Sequence, residues 1–264
     1  MSVWPGTHFY RCGQRPENDT KTGYLLKLIG QKFILLYTTN CRMETIVKII
    51  STRYVTHNVK QLRLGKPDGF TFTPGQATEL SVNQPGWKDK KNPFTFTCLT
   101  TDPYLEFTIK IYPDSAEGVT NQLSKLTVGD ELILRDAWGA IEYKGPGYFI
   151  AGGAGITPFI AILRQLYKAD KLEGNVLFFS NKTDEDIILA DELKQMLGDN
   201  AHFTTTQQEG GKNDHRRIDA EFLKAEVKDF KKHFYVCGPD PMVEELTKTL
   251  TKLGADIDAV VFEK

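Results

Sequence analysis

Three glycines fall within the octapeptide Ala151-Gly152-Gly153-Ala154-Gly155-Ile156-Thr157-Pro158. It lies between a short apolar run, Gly147-Tyr148-Phe149-Ile150, and a segment of helical pattern from Pro158 to Leu166. Glycines at 152, 153 and 155 let the backbone take positive φ and approach a ligand closely, while the unpaired N–H groups of a helix start attract an anion. Thr157 reads as the N-cap and Pro158 as the first helical residue, where a missing N–H costs nothing. The chemistry implied is the holding of a phosphate-bearing ligand. A tight strand-to-helix turn with no ligand carries the same local pattern, and the spacing departs from the G-x-G-x-x-G dinucleotide fingerprint.

Other chemistry-bearing residues stand at the ends of later apolar runs. Cys237-Gly238-Pro239 follows His233 to Val236, and Ser180-Asn181-Lys182 follows Val176 to Phe179. Alone, Cys237 reads equally well as a small buried hydrophobe and Lys182 as a solvated loop lysine. Arg216 and Arg217, near Gly210-Gly211, are phosphate ligands or plain surface charge. The five histidines show no metal-ligand spacing. The four cysteines, Cys12, Cys41, Cys98 and Cys237, form no C-x-x-C pair or iron–sulfur spacing, so no metal centre is expected and a reducing cytoplasm is.

The elements that must position these residues differ between the halves of the chain. From 147 onward strands and helices alternate: strand Val176–Ser180, helix Ile187–Leu197, strand Ala201–Thr206, helix Ala220–Glu226, strand His233–Cys237, helix Pro241–Leu253, strand Ala259–Phe262. That alternation predicts a parallel sheet wrapped by helices, with ligands at the carboxyl ends of its strands. From 44 to about 143 the chain is a series of short β-branched and aromatic runs, including Gln61–Leu64, Thr78–Val82, Phe94–Leu99, Leu105–Ile111 and Glu131–Leu134. Their spacing predicts an antiparallel barrel. One helix, Thr120–Leu126, interrupts it just after Gly118. The fold class is thus an antiparallel six-stranded β-barrel followed by a parallel-sheet α/β domain, with the break at Gly145-Pro146-Gly147.

Residues 1–42 follow no clear period, and Met43-Glu44-Thr45 opens the first strand pattern. Met43 is read as the natural start and 1–42 as a poorly ordered extension; a covering strand or helix is the alternative. The expected domains are 1–42, 43–145 and 146–264. With 33 basic and 34 acidic residues among 264, no global field favours nucleic acid or an anionic membrane. The longest apolar stretch, Tyr24 to Tyr37, is interrupted by Lys27, Gln31 and Lys32 and falls short of the about 20 residues a span requires. A soluble, cytoplasmic monomer is the expectation.

Taken in order, the segments resemble the ferredoxin–NADP reductase superfamily of flavin oxidoreductases, over about residues 44–263. Pro74-Gly75-Gln76 looks like the family's turn before the flavin strand, and Asn92-Pro93-Phe94-Thr95 sits where the family carries Arg-x-Tyr/Phe-Ser/Thr. Gly118-Val119-Thr120 looks like the loop over the flavin pyrophosphate. Ala151–Pro158, with Gly152, Gly153, Gly155, Ile156, Thr157 and Pro158, and Cys237-Gly238-Pro239 resemble the two nicotinamide-nucleotide motifs. The resemblance implies FAD, with FMN less favoured, and NADP(H) or NAD(H) as cosubstrate. It implies that Phe94 stacks on the isoalloxazine and that Thr95 hydrogen-bonds near its N5, although Phe-Thr-Phe-Thr is also ordinary strand alternation. Lys110, on the preceding strand, adds charge near the diphosphate or is a solvated edge residue. Thr120 caps the helix beneath that diphosphate, and Cys237 lies beside the nicotinamide. Glu263 takes the terminal acidic position or belongs to a frayed end. Ser180-Asn181-Lys182 takes the adenosine ribose, where Lys182 favours a 2′-phosphate.

One departure stands out: the family's arginine is Asn92, which removes a charge-assisted contact to the cofactor phosphate unless Lys90 or Lys91 replaces it. The implied activity takes hydride from NAD(P)H and passes electrons to a separate, transiently bound carrier such as ferredoxin or flavodoxin, with Lys88, Lys90 and Lys91 facing it. Two alternatives are the reductase component of an oxygenase, or a free flavin reductase. A flavin-less nucleotide-binding or interaction module is an alternative of another class.

Overall fold

The computed structural model describes residues 24–29, 32–37, 44–115, 117–139, 141–255 and 260–262. Residues 1–42 and 43–264 are two separate compact units. In the first, β1 (Tyr24–Ile29) and β2 (Lys32–Tyr37) pair antiparallel, Tyr24 opposite Tyr37 and Ile29 opposite Lys32. Two six-residue runs, apolar but for Lys27 and Lys32 and separated by Gly30-Gln31, have the spacing of a β-hairpin. The rest of the segment read as a poorly ordered extension lies outside the described residues.

In the second unit, six strands form one antiparallel sheet: β3 (Thr45–Thr56), β4 (Val59–Gly65), β5 (Ala77–Val82), β6 (Asn92–Thr95), β7 (Tyr104–Lys110) and β8 (Glu131–Trp138), in the order β6-β5-β8-β3-β4-β7. Alternation explains which side is core: Val47 and Ile49 on β3 are buried with Leu62, Leu80, Phe107 and Leu132, while Ile46 and Ile50 face outward. The edge strands meet through a bridge between Phe96 and Phe107 and a Thr97 N–H donated to the Glu106 carbonyl at 2.8 Å. The strand expected over Phe94–Leu99 therefore runs only from Asn92 to Thr95. At Phe96 the chain stops pairing with β5 and crosses to β7. Helix α1 (Val119–Lys125) packs Leu123 into this core, and the buried Lys60 ammonium donates to its terminal carbonyls, Leu123 O at 3.3 Å, Ser124 O at 2.8 Å and Leu126 O at 2.6 Å.

The remaining strands, β9 (Gly147–Gly152), β10 (Val176–Asn181), β11 (Ala201–Thr205), β12 (His233–Cys237) and β13 (Val260–Phe262), form a parallel sheet in the order β11-β10-β9-β12-β13. Every residue of β9 is buried, as expected of a central strand covered on both faces. Phe149, Phe179 and Tyr235 enter one core with α2 (Thr157–Lys168) and α3 (Ala190–Leu197). Tyr148, Phe178 and Phe234 enter the other with α4 (Ala220–Glu226) and α5 (Asp240–Lys252). α3 begins three residues later than the Ile187 start expected, because Leu189 takes a left-handed φ of 53° that breaks the helical run.

Candidate active site

The glycine segment leaves β9 through a 3-10 turn, Gly153–Ile156, before α2 begins at Thr157. Each glycine has its own reason. Gly153 has φ of +52° with open space where a side chain would be. A Cβ on Gly155 would lie 2.3 Å from the Cys237 carbonyl oxygen, and one on Gly152 would lie 2.5 Å from Met242 Sδ. A Cβ on Gly238 would come 3.2 Å from Gly152 N. Glycine at 152, 155 and 238 thus lets the turn after β9 lie directly on the turn after β12. Thr157 is the first helical residue and makes no capping hydrogen bond, so the N-cap expected there is not formed. Ile156 and Pro158 are buried in the core beneath and offer no side chain to a ligand.

These two turns form one wall of a cleft of about 540 Å³. Gly152, Gly153, Gly155, Cys237, Gly238 and Pro239 contribute from the turns; Ser180, Asn181 and Lys182 close the end of β10; Lys110 and Tyr112 reach in from the barrel. Sequence-expected residues from both domains are therefore brought to one place. Tyr112, 55% exposed, was not anticipated. Its signal is the alternation that sends Lys110 and Tyr112 to the same side beyond β7.

Asn181 distinguishes the cleft from an ordinary surface groove. The residue is only 5% exposed, yet neither its side-chain nitrogen Nδ2 nor its side-chain oxygen Oδ1 has a partner among the described residues. Leaving such groups unsatisfied costs about 1–3 kcal/mol, and the hydroxyls of Thr204 and Thr205 on the neighbouring β11 are buried and unpartnered in the same way. Asp186 also lines the cleft, but its carboxylate accepts from Thr183 N at 3.1 Å and Thr183 Oγ1 at 2.9 Å. Arg216 is held by Asp214 and Glu226 at 2.5 and 2.7 Å. Arg217 lines an adjoining cavity of about 380 Å³ that shares Ser180 and Thr206 with the cleft.

The other expected residues stand on the barrel and do not line this cleft. Asn92, Pro93, Phe94 and Thr95 pair with Leu80, Glu79, Thr78 and Ala77 on β5. Phe94 is half-buried against the barrel core, and Thr95 is 8% exposed where the chain crosses to β7. Gly118 caps α1, and a Cβ on it would clash with Ser115 Oγ at 2.6 Å. Val119 is buried in the barrel core. Thr120 is the second residue inside α1, buried, and so does not act as the cap expected. The Lys90 ammonium pairs with Glu117 beside this turn and lies 4.4 Å from the centre of the Trp87 ring; Lys91 pairs with Glu79 at 3.9 Å. Glu263 lies outside the described residues.

The chain thus combines a six-stranded antiparallel sheet, a parallel sheet wrapped by helices, and a cleft where glycine turns meet Lys110 and Tyr112. Residues 149–248 match the oxidoreductase NAD-binding domain family. The chain is 26% identical to the reductase component of propane 2-monooxygenase from Rhodococcus jostii, covering 80% of this chain and 60% of that relative's length. It is 29% identical to NADH-cytochrome b5 reductase 1 from Aspergillus terreus, over 76% of this chain and 74% of the relative. A ferredoxin NADP+ reductase from Neisseria gonorrhoeae with bound FAD and NADP superposes with a TM-score of 0.72 at 20% identity, covering 83% of this chain and 97% of that one. The cytochrome b5 reductase domain of Ulva prolifera nitrate reductase gives 0.71 at 20% identity, with the same coverage. Residues 149–248 are thus similar to oxidoreductase NAD-binding domains, and the fold is shared with ferredoxin–NADP reductase-like FAD/NAD-binding proteins.

Proposed function

We propose that this protein is an NAD(P)H-dependent flavoprotein reductase whose residues 43–145 hold FAD and whose residues 146–264 hold the nicotinamide nucleotide. The observation that carries the reading is the cleft, where the glycine turn after β9, the Cys237-Gly238-Pro239 turn and barrel residues Lys110 and Tyr112 converge around the unsatisfied amide of Asn181. When bound, FAD accepts two electrons and a proton together as hydride and gives the electrons up singly, releasing the proton to water.

This chain's own residues bind and orient. The backbone of Gly153 and Ala154 faces the nucleotide phosphates, Asn181 donates and accepts at the ribose, and Lys182 with Arg217 gives that end a positive field that favours a coenzyme bearing a 2′-phosphate. Gly238 and the Cys237 thiol leave room for a flat ring. Phe94 and Thr95 contact the flavin from the barrel, and Lys90, beside the Gly118 turn, supplies charge that Asn92 lacks. The electron acceptor we propose is a separate one-electron carrier protein, the exposed lysines Lys88 and Lys91 favouring an acidic partner. The reductase component named above and the b5 reductases support a protein acceptor of this general kind.

Absorption spectroscopy tests this. Protein purified with added FAD is expected to show a flavin spectrum that bleaches anaerobically with NADPH faster than with NADH, and to reduce cytochrome c only when a carrier such as ferredoxin or flavodoxin is present. Colourless protein that takes up no FAD would overturn the proposal. Cytochrome reduction that needs no added carrier would overturn its acceptor.

A further inference from the structure

The glycine turn and the flavin-strand region belong to different domains, and a side chain of α2 reaches both, beside a longer link from Lys168 Nζ to Thr101 Oγ1 at 3.3 Å. Arg164 projects from α2, the helix that begins immediately after the glycine turn. Its Nη1 donates to the Thr97 carbonyl at 2.6 Å and to Glu106 Oε1 at 2.7 Å. Its Nε and Nη2 donate to the two oxygens of Glu192 on α3, at 2.5 and 2.9 Å. Thr97 lies two residues beyond Thr95 in the same run of chain.

Glu106 is fully buried, and both its oxygens are taken. Thr97 Oγ1 donates to Oε1 at 3.1 Å and Arg63 Nε to Oε2 at 2.8 Å, with the Arg63 guanidinium 4.4 Å from the centre of the Tyr104 ring. The guanidinium fork of Arg164 thus engages barrel and nucleotide domain at once, which a point charge cannot reproduce. A second contact holds the same helix. A Cβ on Gly75, in the barrel turn, would meet Ile141 O at 2.0 Å and Ile162 Cδ1 at 3.3 Å, so that turn abuts α2 two residues from Arg164.

We propose that Arg164 is a positioning residue that fixes the spacing between the glycine turn and the barrel segment carrying Phe94 and Thr95, and so the distance over which hydride moves. The inference rests on the reductase reading above. It assigns Arg164 no contact with either nucleotide; it acts through α2 and the Thr97 carbonyl. A mispositioning of about 1 Å at such a site is enough to cost about a hundredfold in rate.

The test compares wild type with R164K, which keeps the charge opposite Glu106 but loses the fork, and with E192Q, which weakens only the α3 side. On FAD-loaded protein, R164K is expected to keep its flavin and bind NADP+ within about threefold of wild type. Its flavin reduction at saturating NADPH falls at least tenfold, with loss of the long-wavelength charge-transfer absorbance; E192Q falls between. On protein without nucleotides, hydrogen exchange in R164K rises together in the first turn of α2 and at Thr97–Cys98. Unchanged reduction rate, or loss of flavin and nucleotide affinity in parallel with rate, overturns the proposal. So does exchange that rises in one segment alone or in neither. Should wild type take up no flavin, the reductase reading fails by itself, and with it the catalytic meaning given to Arg164, while the exchange comparison still decides whether the residue couples the two domains.

Discussion

Asn181 carries two buried polar atoms without partners among the described residues, which makes its contributions to folding and to binding opposite in sign. Replacing it with leucine, close in size and apolar, removes an unsatisfied amide, so the thermal midpoint is expected to hold or rise while NADP+ affinity falls about tenfold; calorimetry and fluorescence titration check both. Lys182 decides a different question. Lys182→Glu replaces attraction for a 2′-phosphate with repulsion, and the NADPH-to-NADH ratio of kcat/KM is expected to drop at least about tenfold, the scale of one charge-assisted contact. That both residues line the cleft was legible in the sequence, because they stand at the carboxyl end of a parallel strand. The reasons for the glycines were less so: Gly155 is dictated by Cys237 and Gly238 by Gly152, each far away along the chain, which no local pattern records. Tyr112 was missed because its role depends on the second domain coming close.

At the scale of elements, strands and helices were readable wherever period-2 or helical alternation ran unbroken, as in β9, β10 and α2. The misjudged ends have tertiary causes. β6 stops at Thr95 because the next residues pair with β7, and α3 starts late because Leu189 is left-handed. The placing of α1 also depends on a distant residue, Lys60, whose ammonium is held below its usual 10.5 by burial, against the nearby Asp130 charge. Lys60→Met leaves the carbonyls of Leu123, Ser124 and Leu126 without their donor, and is expected to lower the unfolding free energy by about 2 kcal/mol. Denaturant titration at fixed m-value checks this, with faster flavin loss as its companion, since α1 carries the Gly118 turn.

For the molecule as a whole, the domains are bound by charges buried between them. Burial pushes the Glu106 carboxyl up, but the Arg164 and Arg63 guanidinium groups outweigh it and hold it below its ordinary 4.5. A carboxyl depressed on folding contributes stability that is complete above its unfolded value and is lost as pH falls through the folded one. Stability is therefore expected to be insensitive to this group at neutral pH and to decline below about pH 4.5, with Glu106→Gln flattening that decline in acid titrations followed by circular dichroism. The architecture itself was legible, because a run of short strands followed by β–α alternation leaves few arrangements. The joint between the domains was not, since Arg63, Glu106, Arg164 and Glu192 are scattered along the chain with no local pattern that links them.

The central claim of the proposed function is that a nicotinamide held in this cleft and a flavin held by the barrel strand of Phe94 and Thr95 come close enough to exchange hydride directly. Anaerobic stopped-flow reduction of the FAD-loaded protein by NADPH carrying deuterium at the transferring C4 position tests it. The account predicts a primary isotope effect of several-fold on flavin bleaching in wild type, and bleaching without any added mediator. Equal rates for the two isotopologues in a step shown to be chemistry, or bleaching that occurs only through a mediator, would contradict it.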